Sequence, residues 1–350
     1  MSHRLKLFLV IGILCILTVV FFWYFIFDVA SMGNDGCYLW YPHLSFIVDS
    51  FKSGQVPSWN PFDFCGRPEA ADTFAGVFYP LFWPLIFFTS DHGLSFLAME
   101  NMAIFHVFLA GLFTFFFARG LNLSVFSSLV SAIAYMFCGN MFGFFDSPPQ
   151  IALTWFPFIL LFLQKSVTKK DYLYAIVGGI GLGLSGLFMH PQFHLYMLYA
   201  VSFYFLYILW EKKQAKEGRA EYVFVVNSFL VLMIAGFALS AVQWVPALEL
   251  NLNSTRAKIS WAQSVYNSMH PKPLLGFLAP YFFVEPPRWS VDPGFEEYHV
   301  YMGILPVLLS LVLVLSVIRG YVSLGQVAVD LALDAVFAVT FMALYPWRNV

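Results

Sequence analysis

Leu5–Phe27 reads LKLFLVIGILCILTVVFFWYFIF, an apolar run interrupted only by Lys6 and preceded by Arg4. An α-helix rises about 1.5 Å per residue, so about 20 apolar residues cover a hydrocarbon layer about 30 Å thick. The run is too long for the apolar core of a secretory signal, so it reads as an uncleaved membrane anchor. Comparable runs recur at about 95–118, 124–145, 151–164, 172–190, 192–210, 222–247 and 300–318, with a ninth apolar stretch at about 326–345. They are continuous rather than alternating. Because lipid offers the backbone no hydrogen-bond partner, such runs are expected to be helices. The expected fold is all-α and polytopic, with eight or nine transmembrane helices.

Composition agrees. The 350 residues are 60% hydrophobic, 20% aromatic and only 11% charged. Soluble domains carry about 25% charged residues, so a soluble enzyme is excluded, and so is a disordered chain. The formal net charge of −2 provides no basic field for nucleic acid. Four Cys are too few for a disulfide scaffold. Cys37 and Cys65 fall on the side where a disulfide is permitted, and Cys15 and Cys138 fall inside spans.

Lys and Arg set the orientation. With the N-terminus in the cytoplasm, most of the 18 basic residues lie in short inner connections, among them Arg4, Lys6, Arg119, Lys165, Lys169, Lys170, Lys212, Lys213, Lys216, Arg219 and Arg319. The outer face is left with Lys52, Arg67, Arg256, Lys258, Lys272 and Arg288. Two outer segments are long: 28–90 and 249–299. Long loops in a compact protein tend to carry function, so the working face is expected to be extracytoplasmic.

The first outer loop contains Asp28, Asp35, Asp49, Asp63, Glu69 and Asp72, opposed only by Lys52 and Arg67. Pro42–Ser53 is expected to form an amphipathic helix with Leu44, Ile47, Val48 and Phe51 on one face, stopped by Gly54. Phe74–Phe88, broken by Pro80 and Pro84, is too short for a span and reads as an interfacial or re-entrant piece. Asp35, in Gly33-Asn34-Asp35-Gly36, lies close to the outer end of the first helix. There a carboxylate is suited to act as general base on a hydroxyl, although Asn-Asp-Gly is also ordinary turn chemistry.

Asp35 is followed by an aromatic-Pro helix and then by Gly54-Gln55-Val56-Pro57-Ser58-Trp59-Asn60-Pro61, Gly66-Arg67-Pro68 and Phe78-Tyr79-Pro80. Later come Met189-His190-Pro191-Gln192-Phe193-His194-Leu195-Tyr196, Ala241-Val242-Gln243-Trp244-Val245-Pro246-Ala247-Leu248-Glu249-Leu250, Pro273–Phe283 and Tyr298–Pro306. In their order and spacing these blocks resemble the YfhO family of bacterial membrane proteins, over about residues 5–318. That family resembles the GT-C glycosyltransferases. The resemblance implies a GT-C-like transmembrane domain over 1–318 in a bacterial plasma membrane. It further implies a catalytic Asp in the first outer loop, matched here by Asp35. The implied reaction transfers a sugar from a polyprenyl-phosphate carrier to an extracytoplasmic acceptor, a cell-wall polymer or a lipid. Family members are longer, so the chain ending at Val350 is expected to be a fragment, a truncated product or a minimal relative. Its 319–350 segment aligns with nothing.

Other constellations have two readings each. Arg67, Arg256 and Lys258 are cations on the side where a lipid phosphate would leave. Asp146, before Pro148-Pro149, is either a second acid over the site or a turn cap. His190 and His194 are four apart and share a helix face, as a metal pair, a substrate contact or a polar helix end. Glu249 and Arg256 open the second outer loop as candidate walls of a substrate pocket. Asp330 and Asp334 are also four apart but lie in the doubtful final stretch. Gly181-Leu182-Gly183-Leu184-Ser185-Gly186 spells GxGxxG, yet it lies in a span with no strand before it, so the glycines read as helix packing, with Gly179 and Gly183 as a GxxxG pair. No organic cofactor is expected, and a divalent metal stays open. Two competing classes are a transporter or lipid flippase, for which buried charge and repeats in the spans are the signature, and a non-catalytic assembly subunit.

Overall fold

A computed structural model describes residues 3–31, 36–90, 93–138, 141, 148–258 and 260. The chain divides into two compact units, Met1–Met136 with Gly143–Leu250, and Phe137–Phe142 with Asn251–Val350. The first unit carries nearly all the described structure. Its helices are α1 (His3–Phe21), α2 (Trp23–Ile26), α3 (Tyr41–Lys52), α4 (Phe96–Gly120), α5 (Val125–Met136), α6 (Pro148–Lys169), α7 (Tyr172–Leu187), α8 (Pro191–Gln214) and α9 (Arg219–Leu252). The only sheet among the described residues is a two-residue antiparallel pair, Thr89–Ser90 with Gly93–Leu94. The fold is therefore all-α. Four helices are long and apolar enough to cross a membrane: Phe96–Gly120, Gln150–Lys169, Pro191–Gln214 and Arg219–Leu252. The expected spans at 300–318 and 326–345 lie outside the described residues.

Several boundaries differ from the sequence reading for identifiable reasons. The first run is one helix with a break: α1 ends at Phe21, Phe22 leaves the helical region (φ −100°, ψ 18°), and α2 resumes at Trp23. Thr18 Oγ1 donates back to the Leu14 carbonyl at 2.8 Å, an arrangement that bends helices. At the other end, α9 runs through Pro246 to Leu252. Proline removes one backbone hydrogen bond, a loss that helices in an apolar setting tolerate when neighbours compensate. Glu249 is thus on the last turns of a helix rather than in a loop.

Other elements follow the expected chemistry. α3 buries His43, Leu44, Ile47 and Val48 and has Pro42 in its first turn. Gly54 stops it at φ +73°, a conformation glycine adopts without strain. Residues 80–88 form a 3₁₀ segment. No disulfide joins Cys37 and Cys65.

α7 is held by its glycines. A Cβ on Gly179 would meet Ala235 Cβ and the Leu232 carbonyl at 2.6 Å, one on Gly183 would meet Leu239 at 2.6 Å, and one on Gly186 would meet Ser240 at 2.8 Å. Gly181 faces the other way and lies against Phe158. Bare backbone thus lets α7 press on α9 on one side and α6 on the other, the packing that small residues allow between apolar helices. The GxGxxG pattern is a packing device inside α7. Hydroxyls reinforce the bundle: Ser166 Oγ donates to Ser228 Oγ at 3.0 Å between α6 and α9, and Tyr204 Oη donates to Gln164 Oε1 at 2.9 Å between α8 and α6.

Candidate functional site

The segment between α3 and α4 is organised around one buried carboxylate. Glu69 has no solvent exposure. His43 Nδ1 lies 2.7 Å from Glu69 Oε1, Asn60 Nδ2 donates to Oε2 at 3.1 Å, and Arg67 Nε donates to Oε2 at 3.1 Å. Burial by itself raises the Glu69 pKa. The hydrogen bond from His43 and the nearby His43 and Arg67 charges act in the opposite direction and prevail, so the group ionises below its ordinary range. An ionised carboxylate only accepts, which places the proton on His43 Nδ1.

Arg67 binds two further carboxylates, Asp63 Oδ2 at 3.3 Å and Asp72 Oδ2 at 2.7 Å. Its terminal nitrogen also lies 3.0 Å and 3.1 Å from the two ring nitrogens of His43. Local geometry delivers the partners. An antiparallel bridge pairs Asn60 with Arg67, and Gly66, at φ +109°, lies so close to Trp59 that a Cβ would fall 2.7 Å from the indole.

Residues 70–74 connect this cluster to the bundle. Gln243 Nε2, on α9, donates to the carbonyls of Ala70 at 3.3 Å and Asp72 at 3.1 Å. The Met189 amide, just before α8, donates to the Thr73 carbonyl at 3.0 Å. The Phe74 ring meets the His190 ring edge-on at 5.2 Å and the Trp40 ring at 5.7 Å.

A second buried chain holds the following segment. Trp155 Nε1 donates to Tyr79 Oη at 3.0 Å, and Tyr79 Oη lies 2.7 Å from His106 Nε2. His106 Nδ1 lies 2.7 Å from the Met102 carbonyl. A carbonyl cannot donate, so Nδ1 carries the proton, Nε2 accepts, and the Tyr79 hydroxyl donates to it. Every polar atom in this chain is satisfied, and it locks Tyr79 onto α4 and α6.

Of the residues singled out from sequence, Arg67 and His190 converge through residues 72–74. His190 caps the start of α8 as its preceding, extended residue. His194 is buried, with Nδ1 3.4 Å from Ser185 Oγ. Among the described residues, no three His, Cys, Asp or Glu side chains gather as a metal would require. Glu249 is exposed on α9, six residues past Gln243 and hence about 9 Å further along the helix. Arg256 lies in the 3₁₀ turn Thr255–Lys258, within the second unit. Asp35 and Asp146 lie outside the described residues. Sequence reasoning missed His43, Asn60, His106 and Trp155 as structural polar groups. His43 was detectable, since it belongs to the same helical stripe as Leu44, Ile47 and Val48. His106 and Trp155 sit in uniformly apolar helices and give no periodic signal.

Helical fold, apolar composition and four membrane-length helices define a membrane protein. No protein-family model, no curated protein and no solved structure matches the chain.

Proposed function

We propose that the chain is a GT-C-like glycosyltransferase of a bacterial plasma membrane, with eight or nine spans and a cytoplasmic N-terminus. It would transfer a sugar from a polyprenyl-phosphate carrier to an extracytoplasmic polymer or lipid. One observation carries this reading. The sequence blocks behind the resemblance lie far apart in the chain, yet those of the first loop, the α8 start and the α9 end meet at residues 70–74, through Arg67–Asp72, Met189–Thr73 and Gln243–Asp72. A constellation assembled from distant segments at one end of a bundle is how membrane enzymes build sites.

In this reading Asp35 orients the acceptor hydroxyl and takes its proton as the oxygen attacks the anomeric carbon. The bond from that carbon to the phosphate oxygen breaks, and the electron pair leaves with the phosphate. The departing group is already anionic and needs a cation more than a proton. Arg67 is committed to three carboxylates, which makes it a positioning residue for the loop and leaves Arg256 and Lys258 as the cation candidates. His190, Glu249 and Asp146 stay proposed substrate contacts.

A second reading, a lipid or solute transporter, is favoured by Glu100, a fully buried carboxylate in α4. Ionisable groups in spans are costly and mark pathways. The test is to supply membranes containing the full chain with labelled polyprenyl-phosphate sugars. Transfer of label to a polymer or lipid supports the enzyme. Movement of intact lipid-linked sugar between leaflets, without transfer, replaces it with the transporter.

A further inference from the structure

The two ends of the helix bundle differ in charge. Helices α4, α6 and α8 finish, and α5, α7 and α9 begin, at the end away from the Glu69 cluster. All eight Lys and Arg residues from Arg119 to Arg219 belong to that end, beside four carboxylates, Asp171, Glu211, Glu217 and Glu221. Three of the carboxylates are already in use. Lys170 pairs with Glu221, and Lys212 lies 3.9 Å from Glu217. Asp171 caps α7, accepting from the Leu173 amide at 2.9 Å. Among the described residues, Lys165, Lys169 and Lys213 form no ion pair.

These cations occupy a layer. The Tyr204–Gln164 bond sets the height of α8 against α6, and the Ser166–Ser228 bond sets that of α9. Counted from those links, Lys165, Lys169, Lys213 and Arg219 fall within about 15 Å along the helix axes. Tyr204, Tyr207 and Trp210 follow one another along α8 with successive rings 6.1 Å apart. Such an aromatic belt belongs where hydrocarbon meets lipid headgroups. Lys165 is level with the start of the belt: it is half-buried beside Gln164, and its Nζ lies 5.0 Å from the Phe162 ring. A cation at that depth is costly without an anion. The anions found at that depth are lipid phosphates. Phosphatidylcholine brings its own cation to compete for the phosphate, whereas an anionic phospholipid does not.

We propose that this basic end is a binding surface for anionic phospholipid headgroups. Lys165 and Lys169 on α6 and Lys213 on α8 attract the phosphates, and the aromatic belt sets their depth. Cations near helix C-termini also complement the helix dipole, but that role carries no preference between lipids. The surface is independent of the transferase reading, and either can fail without the other.

The test titrates the full-length protein, in a neutral detergent, with solubilised phosphatidylglycerol or phosphatidylcholine, and counts bound lipid by native mass spectrometry. Phosphatidylglycerol is expected to bind at least about fivefold more tightly, the effect of one free cation at a membrane surface. Lys165→Gln, Lys169→Gln and Lys213→Gln combined are expected to bring the two lipids to parity, and Arg at the same three positions to keep the preference. Lys52→Gln, at the opposite end of the bundle, is expected to change nothing. Should the combined Gln variant fail to fold, Lys165→Gln alone is read the same way, with a smaller drop. The proposal is overturned if the wild type binds both lipids equally, or if the combined Gln variant lowers the lipid-free melting temperature and keeps the preference, the mark of cations that serve only the helix ends. It is equally overturned if Lys52→Gln costs as much preference as the combined variant, or if inorganic phosphate displaces phosphatidylglycerol at matched ionic strength, which would make the surface a site for a free anion.

Discussion

His43 Nδ1 lies 2.7 Å from Glu69 Oε1, and both side chains are buried. The pair joins α3 to the loop that follows it. Through Arg67 and Asp72 the same contact extends to α9 and the start of α8. One ionised carboxylate therefore ties α3 to the loop that Gln243 and the Met189 amide hold from the other side.

Glu69→Ala is expected to destabilise the protein by about 3 kcal/mol, the cost of leaving buried charged partners unmatched. Thermal unfolding in nanodiscs measures it. Asp63→Ala, at the most exposed of the three carboxylates on Arg67, is expected to cost under about 1 kcal/mol.

Acid should release the loop. Glu69 ionises below its ordinary value of 4.5, so its folded pKa is depressed. Such a group stabilises the fold fully above its unfolded pKa, and that stability is lost as pH falls through the folded pKa. Amide exchange over residues 60–72 is expected to accelerate below about pH 4.5. Glu69→Gln should flatten that dependence. An unchanged acid profile in Glu69→Gln would assign the transition to another group.

Tyr79→Phe keeps the ring but leaves Trp155 Nε1 and His106 Nε2 without their partner inside the bundle. The expected loss is about 1–3 kcal/mol. Adding Trp155→Phe should cost less than the sum of the two single variants, since it removes one orphaned donor. Additive losses would contradict the chain of three.

Gly179→Val is expected to destabilise strongly, because a Cβ meets Ala235 and the Leu232 carbonyl at 2.6 Å. Overpacking of this kind costs about 1–3 kcal/mol or more. Gly12→Ala, where nothing lies within 4 Å, should be neutral or mildly stabilising. Equal effects in the two would contradict the α7–α9 packing.

The helices were legible in the sequence because lipid forces long apolar runs to be helical. The α3 stripe and its Gly54 stop were legible because periodicity and glycine chemistry act locally. The glycine face of α7 was readable as packing, though not its partner. The site was less legible. Arg67 stood out as a cation, but its three carboxylate partners depend on the Asn60–Arg67 bridge and on the turn at Gly66, which composition does not report. Glu69 looks like any acidic loop residue until burial is known. Gln243 appears polar in an apolar helix, yet its target, residues 70–72, is remote in the chain. The break at Phe22 and the continuation through Pro246 are set by hydrogen-bond choices at single residues, below what a hydropathy run resolves.

The most direct measurement is sugar transfer by Asp35→Asn in the full-length chain. Membranes with matched amounts of wild-type and variant protein would receive labelled polyprenyl-phosphate sugar, and label reaching the acceptor would be counted. A general base contributes about 10²–10⁴-fold, so the variant is expected to lose at least about a hundredfold in rate, with its melting temperature unchanged. Undiminished transfer by Asp35→Asn at normal protein level would contradict the assignment of the base and, with it, the proposed chemistry of the outer face.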